Sequence, residues 1–146
     1  MKLYPPLMVL IGLLVQLAIA FNGPVQPLLG AAWQYVGIGL MIFSFVTILL
    51  LARKFSRTET TILPDGQPSQ LMDDGLFAYS RNPIYVAMAL LLFGSALATG
   101  QIWGLLVVPV FILLVQQMWI VKEEENLEQE FGQIYRNYKD RVRRWV

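Results

Sequence analysis

The stretch NPIYVAMALLLFGSALATGQIWGLLVVPVFILLVQQMWIV, residues 82–121, decides the architecture. Its 40 residues contain no Asp, Glu, Lys or Arg. A membrane-crossing helix needs roughly 20 predominantly apolar residues, so the run holds two helices. Thr99-Gly100-Gln101 is the turn between them. Asn82-Pro83 opens the first: Asn caps, and Pro at the first helical position forfeits no hydrogen bond. Pro109 predicts a kink inside the second. A second charge-free run, the 50 residues 3–52, also holds two helices, with Asn22-Gly23-Pro24 ending the first and Pro27 keeping the loop open. The spacing predicts spans at about 7–21, 33–52, 83–98 and 102–121.

Composition agrees. The 146 residues are 56% apolar and 14% charged, against roughly 45–50% and about 25% in an ordinary soluble domain. A soluble enzyme and a disordered tail are excluded. Net charge is +1, which gives no polyanion footprint and argues against a nucleic-acid partner. The absence of cysteine removes disulfides, thiolate nucleophiles and zinc–sulfur sites. The absence of histidine removes the usual general base and the commonest metal ligand, so no metal site is expected.

Basic residues set orientation. The connections at 22–32 and 99–101 carry no charge. Every Lys and Arg lies at the amino end, in the central loop 53–81, or at the carboxyl end from Lys122 onward. The positive-inside rule then places both termini and the central loop in the cytoplasm. Lys2, an apolar run and Ala18-Ile19-Ala20 also outline a signal peptide with an A-x-A site. Only one basic residue precedes that run, which favours a retained first helix.

The tail is different in kind. Leu127, Phe131, Ile134, Tyr135, Tyr138, Val142 and Trp145 recur at steps of three or four, and Lys139, Arg141, Arg143 and Arg144 crowd its end. This periodicity predicts an amphipathic helix on the membrane surface, anchored by Trp145 and the arginines. Gly132 weakens its continuity. The expected fold is therefore all-α and integral to the membrane: one domain of four transmembrane helices with a carboxyl-terminal interfacial amphipathic helix.

A short turn makes the last two spans an antiparallel hairpin. Residues 102–123 outrun residues 83–99, so Glu123-Glu124-Glu125 should project about two turns beyond Pro83 at the helical rise of about 1.5 Å. Beneath them lies Tyr79-Ser80-Arg81-Asn82-Pro83-Ile84-Tyr85. Each piece has a plain explanation: Asn82-Pro83 as a helix start, Arg81 as an anchor, the glutamates as solvated charge. Together they bring a base, an acid and two tyrosines to one step at the membrane surface, wide enough for a small molecule.

These residues also carry a resemblance. Asp74-Gly75-Leu76-Phe77-Ala78-Tyr79-Ser80-Arg81-Asn82-Pro83-Ile84-Tyr85 resembles the G-x-[FY]-x-x-x-R-[HN]-P-x-Y signature of the isoprenylcysteine carboxyl methyltransferase family. Glu123-Glu124-x-x-Leu127-x-x-x-Phe131-Gly132-x-x-Tyr135-x-x-Tyr138-x-x-x-Val142 resembles that family's tail, which the phospholipid methyltransferases share. The likeness is to short prokaryotic-type members and covers about residues 60–145. It implies a multi-pass enzyme of the cytoplasmic membrane. Such an enzyme binds S-adenosyl-L-methionine from the cytosol and admits a lipophilic small-molecule or lipid acceptor from the bilayer.

Carried over by position, the resemblance implies cofactor contacts from Ser69, Gln70, Leu71, Met72, Phe77, Asn82, Pro83, Ile84 and Tyr85, and from Glu123 and Glu124. Arg81 is assigned to the cofactor carboxylate, a glutamate to its ammonium or ribose hydroxyls, and Phe77 or Tyr85 to the adenine or sulfonium. Met72 and Ile84 contribute backbone groups. No catalytic residue is assigned. Asn82 stands where many members have His, and Arg143 where Pro is common.

Methyl transfer from a sulfonium is an in-line displacement that needs alignment and exclusion of water. Without His or Cys, a carboxylate acceptor, already ionised, is the simplest. Gln116, Gln117 and Trp119 lie on the membrane side of Glu123 and mark either the acceptor's route or helix–helix hydrogen bonds. Gly37-Ile38-Gly39 and Gly94-Ser95-Ala96 suit close helix contacts, within one chain or between chains. Two other readings stand beside the methyltransferase: an NADPH-dependent reductase of a sterol-like lipid, and a non-catalytic membrane partner protein.

Overall fold

The computed structural model describes residues 4–22, 30–57 and 71–146. Regular structure there is entirely helical. Helix α1 is Pro5–Asn22, α2 is Ala31–Arg57 and α3 is Pro83–Thr99. Helix α4 runs unbroken over Ile102–Phe131, and α5 is Gln133–Arg141. A short 3-10 turn, Gly75–Ala78, precedes α3. Three helices, α1, α2 and α4, are long and apolar enough to cross a membrane. Helix α3 has 17 residues, roughly 25 Å at the helical rise, a little short of a bilayer core of about 30 Å.

Helix α3 is the centre of the bundle. It packs on α1, α2 and α4, and most of its residues are buried. Its apolar residues run around the whole helix, as a helix enclosed on all sides requires. The main core joins Met8 and Val9 of α1, Tyr85, Met88, Ala89 and Leu92 of α3, and Phe111, Val115, Trp119 and Ile120 of α4. Tyr4 stacks on Trp119 with ring centroids 5.4 Å apart.

Helix α2 attaches differently. A Cβ on Gly37 would collide with the Ala98 nitrogen and lie 2.5 Å from the Gly94 carbonyl oxygen. The two backbones therefore touch, which only glycine permits. Gly37 and Gly94 thus serve a crossing within the chain. The outward face of α2, including Trp33, Tyr35, Ile42, Phe43 and Leu50, stays exposed.

One polar side chain fastens α1. Gln16 is fully buried, and its Nε2 donates to the carbonyls of Leu92 (2.9 Å) and Gly104 (3.0 Å). The bond spans α1, the middle of α3 and the beginning of α4.

The winding of α4 departs from α-helical on either side of Pro109. Residues Ile102–Leu106 are 3-10 helical and Gln116–Ile120 form a π-helical turn. Pro109 falls just inside the α-helical stretch Val107–Val115, where its missing N–H leaves the carbonyl four residues back without its α-helical donor.

The single helix expected over 123–146 is corrected. Helix α4 continues through the glutamates to Phe131, and Gly132 then breaks it at φ 53°, ψ −121°. A side chain there would be strained, so glycine makes the reversal. Helix α5 folds back, and Tyr135, Tyr138 and Val142 are buried with Leu71, Leu127 and Phe131 around them. The periodic stripe packs on the chain itself, and Ile134 alone of its α5 members is exposed.

Candidate functional site

The signature residues and the glutamates meet at the charged end of the bundle. Tyr85, buried in the first turn of α3, donates its hydroxyl to Glu123 Oε1 at 2.6 Å. Arg81 reaches Glu124 through Nη2, 3.1 Å from Oε1. The predicted convergence of base, acid and tyrosine is therefore present as two direct contacts. It joins residues 38 positions apart in the Tyr85–Glu123 pair.

The chain's own carboxyl end reaches into the step expected between Pro83 and the glutamates. Arg144 forks onto Glu124, Nε to Oε1 at 3.0 Å and Nη2 to Oε2 at 2.7 Å. The Arg81 amide donates to the Arg143 carbonyl at 2.9 Å. Asn82 Nδ2 and Ser80 Oγ donate to the Arg144 carbonyl at 3.0 and 3.4 Å. Trp145 Nε1 donates to Gln116 Oε1 at 3.0 Å. The Asn82 side chain thus does not cap α3; its amide is spent on the tail.

Electrostatics follow from this packing. Glu124 is 8% exposed and sits between two guanidiniums. Its fork with Arg144 raises the Arg144 guanidinium further above its already high value. Burial pushes the Tyr138 phenol up to about 12, and its hydroxyl donates to the Phe77 carbonyl at 2.7 Å. Burial, followed by the nearby Glu124 charge, also raises the Tyr135 phenol. Among the described residues, the Tyr135 hydroxyl and Arg81 Nε are buried without a hydrogen-bond partner. Such groups are rare and costly, and both lie in the layer around Glu124.

The remaining predicted residues divide. Asn82 and Pro83 are buried beside Tyr85, and Ile84 packs on the main core. Leu71 packs against the Tyr135–Tyr138–Val142 cluster, and Met72 is half-buried. Phe77 is buried, with its ring edge-on to Phe55 at 5.8 Å and the Lys54 ammonium 5.9 Å from its centroid. Lys54 also pairs with Asp74, holding that carboxyl below its usual value. Ser69 and Gln70 lie outside the described residues. Of the residues marked for an acceptor route, Gln116 is bonded to the tail, Trp119 is in the core and Gln117 is exposed. No cluster of metal-ligating side chains occurs among the described residues.

Sequence reasoning missed Arg144, Ser80 and Tyr135. Arg144 reads as one of several terminal anchors, and nothing in its spacing separates it from Arg143. Tyr135 and Tyr138 carry a signal: aromatic residues three apart in a charged helix need an apolar partner, and that partner is the chain.

Comparisons with known proteins agree with the motifs. No solved structure matches the chain. An uncharacterized protein of Haemophilus influenzae is 41% identical over 63 residues, covering 43% of this chain and all of that protein. The family model described as phospholipid methyltransferase matches residues 33–134, a segment that holds Arg81, Tyr85 and both glutamates. By that match the chain belongs to the phospholipid methyltransferase family.

Proposed function

We propose that this protein is a multi-pass membrane methyltransferase that uses S-adenosyl-L-methionine on a lipophilic acceptor drawn from the bilayer. The reading rests above all on the contact of the two motifs, Tyr85 with Glu123 and Arg81 with Glu124. In it, α3 completes a membrane bundle of four helices, and the charged end, with both termini, faces the cytosol. The whole chain acts as one domain.

The donor set fits the cofactor. Among the described residues the buried Arg81 Nε–H and Tyr135 O–H lack acceptors, and a carboxylate would supply them. Glu123 spends one oxygen on Tyr85, which leaves the other to accept from an ammonium or from ribose hydroxyls. We keep Asn82, Pro83, Ile84 and Tyr85, with Leu71, Met72 and Phe77, as the cofactor contacts; Ser69 and Gln70, assigned by resemblance, lie outside the described residues. Both oxygens of Glu124 are engaged by arginines, so Glu123 is the carboxylate that meets the ligand. When bound, S-adenosyl-L-methionine supplies an electrophilic methyl group on a sulfonium.

The chain's part is alignment and dryness. Tyr85 orients the Glu123 carboxylate, and the apolar core beneath excludes water. The described site offers no imidazole or thiolate to take a proton. An acceptor ionised before it binds needs no base, and a carboxylate is the class we assign.

Calorimetric titration of S-adenosyl-L-methionine into the detergent-solubilised protein tests the reading. Saturable binding that is lost in Glu123→Ala is expected. Absence of binding by a folded protein overturns it. Binding of NADPH instead selects a reductase, and binding of neither selects a non-catalytic partner protein.

A further inference from the structure

We propose that Arg144 is a positioning residue for both halves of this site, and that residues 142–146 form a strap belonging to the site. The ligand-binding part rests on the methyltransferase reading; the strap itself does not.

Arg144 works through two groups directed at two elements. Its guanidinium takes both oxygens of Glu124 on α4. Its carbonyl accepts from Asn82 and Ser80, at the entrance to α3. A single residue thus fixes the glutamate pair and the signature segment relative to each other. The bond to Asn82 holds that amide away from the helix end it would otherwise cap.

The residues beside Arg144 hold it in register. Val142 is buried at one end of the strap, and Trp145 packs on the main core at the other. The Arg143 carbonyl accepts from Arg81, and Trp145 donates to Gln116 at the π-helical turn of α4. Such turns often mark functional positions in helices, and here the turn carries the strap's far anchor.

Glu124 is then the fixed point and Glu123 the working group. With both oxygens of Glu124 held by the Arg144 fork and one of them also by Arg81, the first turn after the π-helical segment is held in place, and Glu123 stays opposite Tyr85. Arg81 shares Glu124 Oε1 with Arg144. Removing Arg144 leaves Arg81 as the sole counter-ion of a buried carboxylate, which pulls its guanidinium inward and reorients its unpaired Nε. Lysine is a poor substitute, because a single ammonium does not span two carboxylate oxygens as the fork does.

The chain has no cysteine, so a nitroxide on Val146→Cys, at a residue 75% exposed, reports the strap alone. Electron paramagnetic resonance of that label is measured in the otherwise native chain and with Arg144→Ala or Arg144→Lys. Affinity for S-adenosyl-L-methionine is measured by calorimetry on the same set, well below each variant's unfolding temperature. We expect an immobilised label in the native chain and a mobile one in Arg144→Ala. We expect affinity to fall about tenfold in Arg144→Ala, the scale of one lost charge-assisted hydrogen bond, and Arg144→Lys to recover only part of it.

A label equally immobile in all three overturns the strap. A mobile label with affinity unchanged to within about twofold overturns the positioning role. So does full recovery by lysine, which would show that charge alone suffices. If the native chain binds no S-adenosyl-L-methionine, the methyltransferase reading falls, and the positioning role with it. The label then still decides whether Arg144 latches the strap.

Discussion

The two ends of this molecule are held by different forces. The apolar end is a matter of contact: Leu92, Val115 and Ile120 are fully buried against α1 and α4, and α2 meets α3 backbone to backbone at Gly37 and Gly94. Lipid is as apolar as leucine, so burial there gains little over exposure, and shape and dispersion decide. The charged end is a matter of direction. Two carboxylates, three arginine and tyrosine side chains, and two tail carbonyls each have an assigned partner. Contact tolerates small adjustments, whereas a buried charge does not tolerate the loss of its counter-ion.

Substitutions at the two ends should separate accordingly. The largest effect is expected from Glu124→Ala, which strands Arg81 and Arg144 in a buried layer. Loss of one member of such a group costs about 3–5 kcal/mol, read as a lowered unfolding midpoint in detergent. Tyr85→Phe removes a hydrogen bond to a charged group and should cost about 1.5–3 kcal/mol; the same variant should weaken S-adenosyl-L-methionine binding. Gln16→Leu tests the apolar end. It breaks two bonds but also removes the buried Oε1, which has no partner among the described residues. Its net cost should stay near 1 kcal/mol, about what hydrogen bonds between membrane helices contribute. If Gln16→Leu proves as damaging as Glu124→Ala, the contrast between the ends is wrong.

The smallest effect belongs to Asp74, an exposed carboxyl paired with Lys54. Its folded pKa is lowered from 3.8, chiefly by the hydrogen bond from Lys54. A depressed acid contributes stability above its unfolded pKa and loses it as pH falls through the folded value. Native protein and Asp74→Asn should therefore differ slightly at neutral pH and converge below about pH 4. A melting series against pH measures this, and added salt should narrow the gap.

The same division explains what the sequence reveals. Periods, prolines and charge-free runs report contact, and they locate α1, α2, α3 and the start of α4 to within a few residues. The meeting of Arg81 and Tyr85 with Glu123 and Glu124 is legible too, because hairpin length and helical rise fix which ends coincide. The reversal at Gly132 is not. A helical stripe in a basic tail looks the same whether it faces lipid or its own chain, and only Leu71, far off in sequence, tips the choice. Arg144 is hidden for a related reason: its partners lie 20 and 62 residues away, and no local pattern marks which of two adjacent arginines turns inward. The π-helical turn at Gln116–Ile120 holds two glutamines of the run, but their polarity does not specify its winding.

The attachment of α2 to α3 has a consequence for biogenesis. Among the described residues, α2 makes its substantial packing with α3 alone. The ribosome must add the 25 residues 58–82 before α3 begins, roughly one to five seconds of synthesis. Throughout that interval α2 is a solitary helix in lipid with its Gly37 notch uncovered. It is the most hydropathic of the three long helices, which suits a segment that must be stable in the bilayer before its partner exists. The uncovered notch is then the point at which a lone α2 is open to capture by another helix bearing small residues, and the arrival of Gly94 closes it.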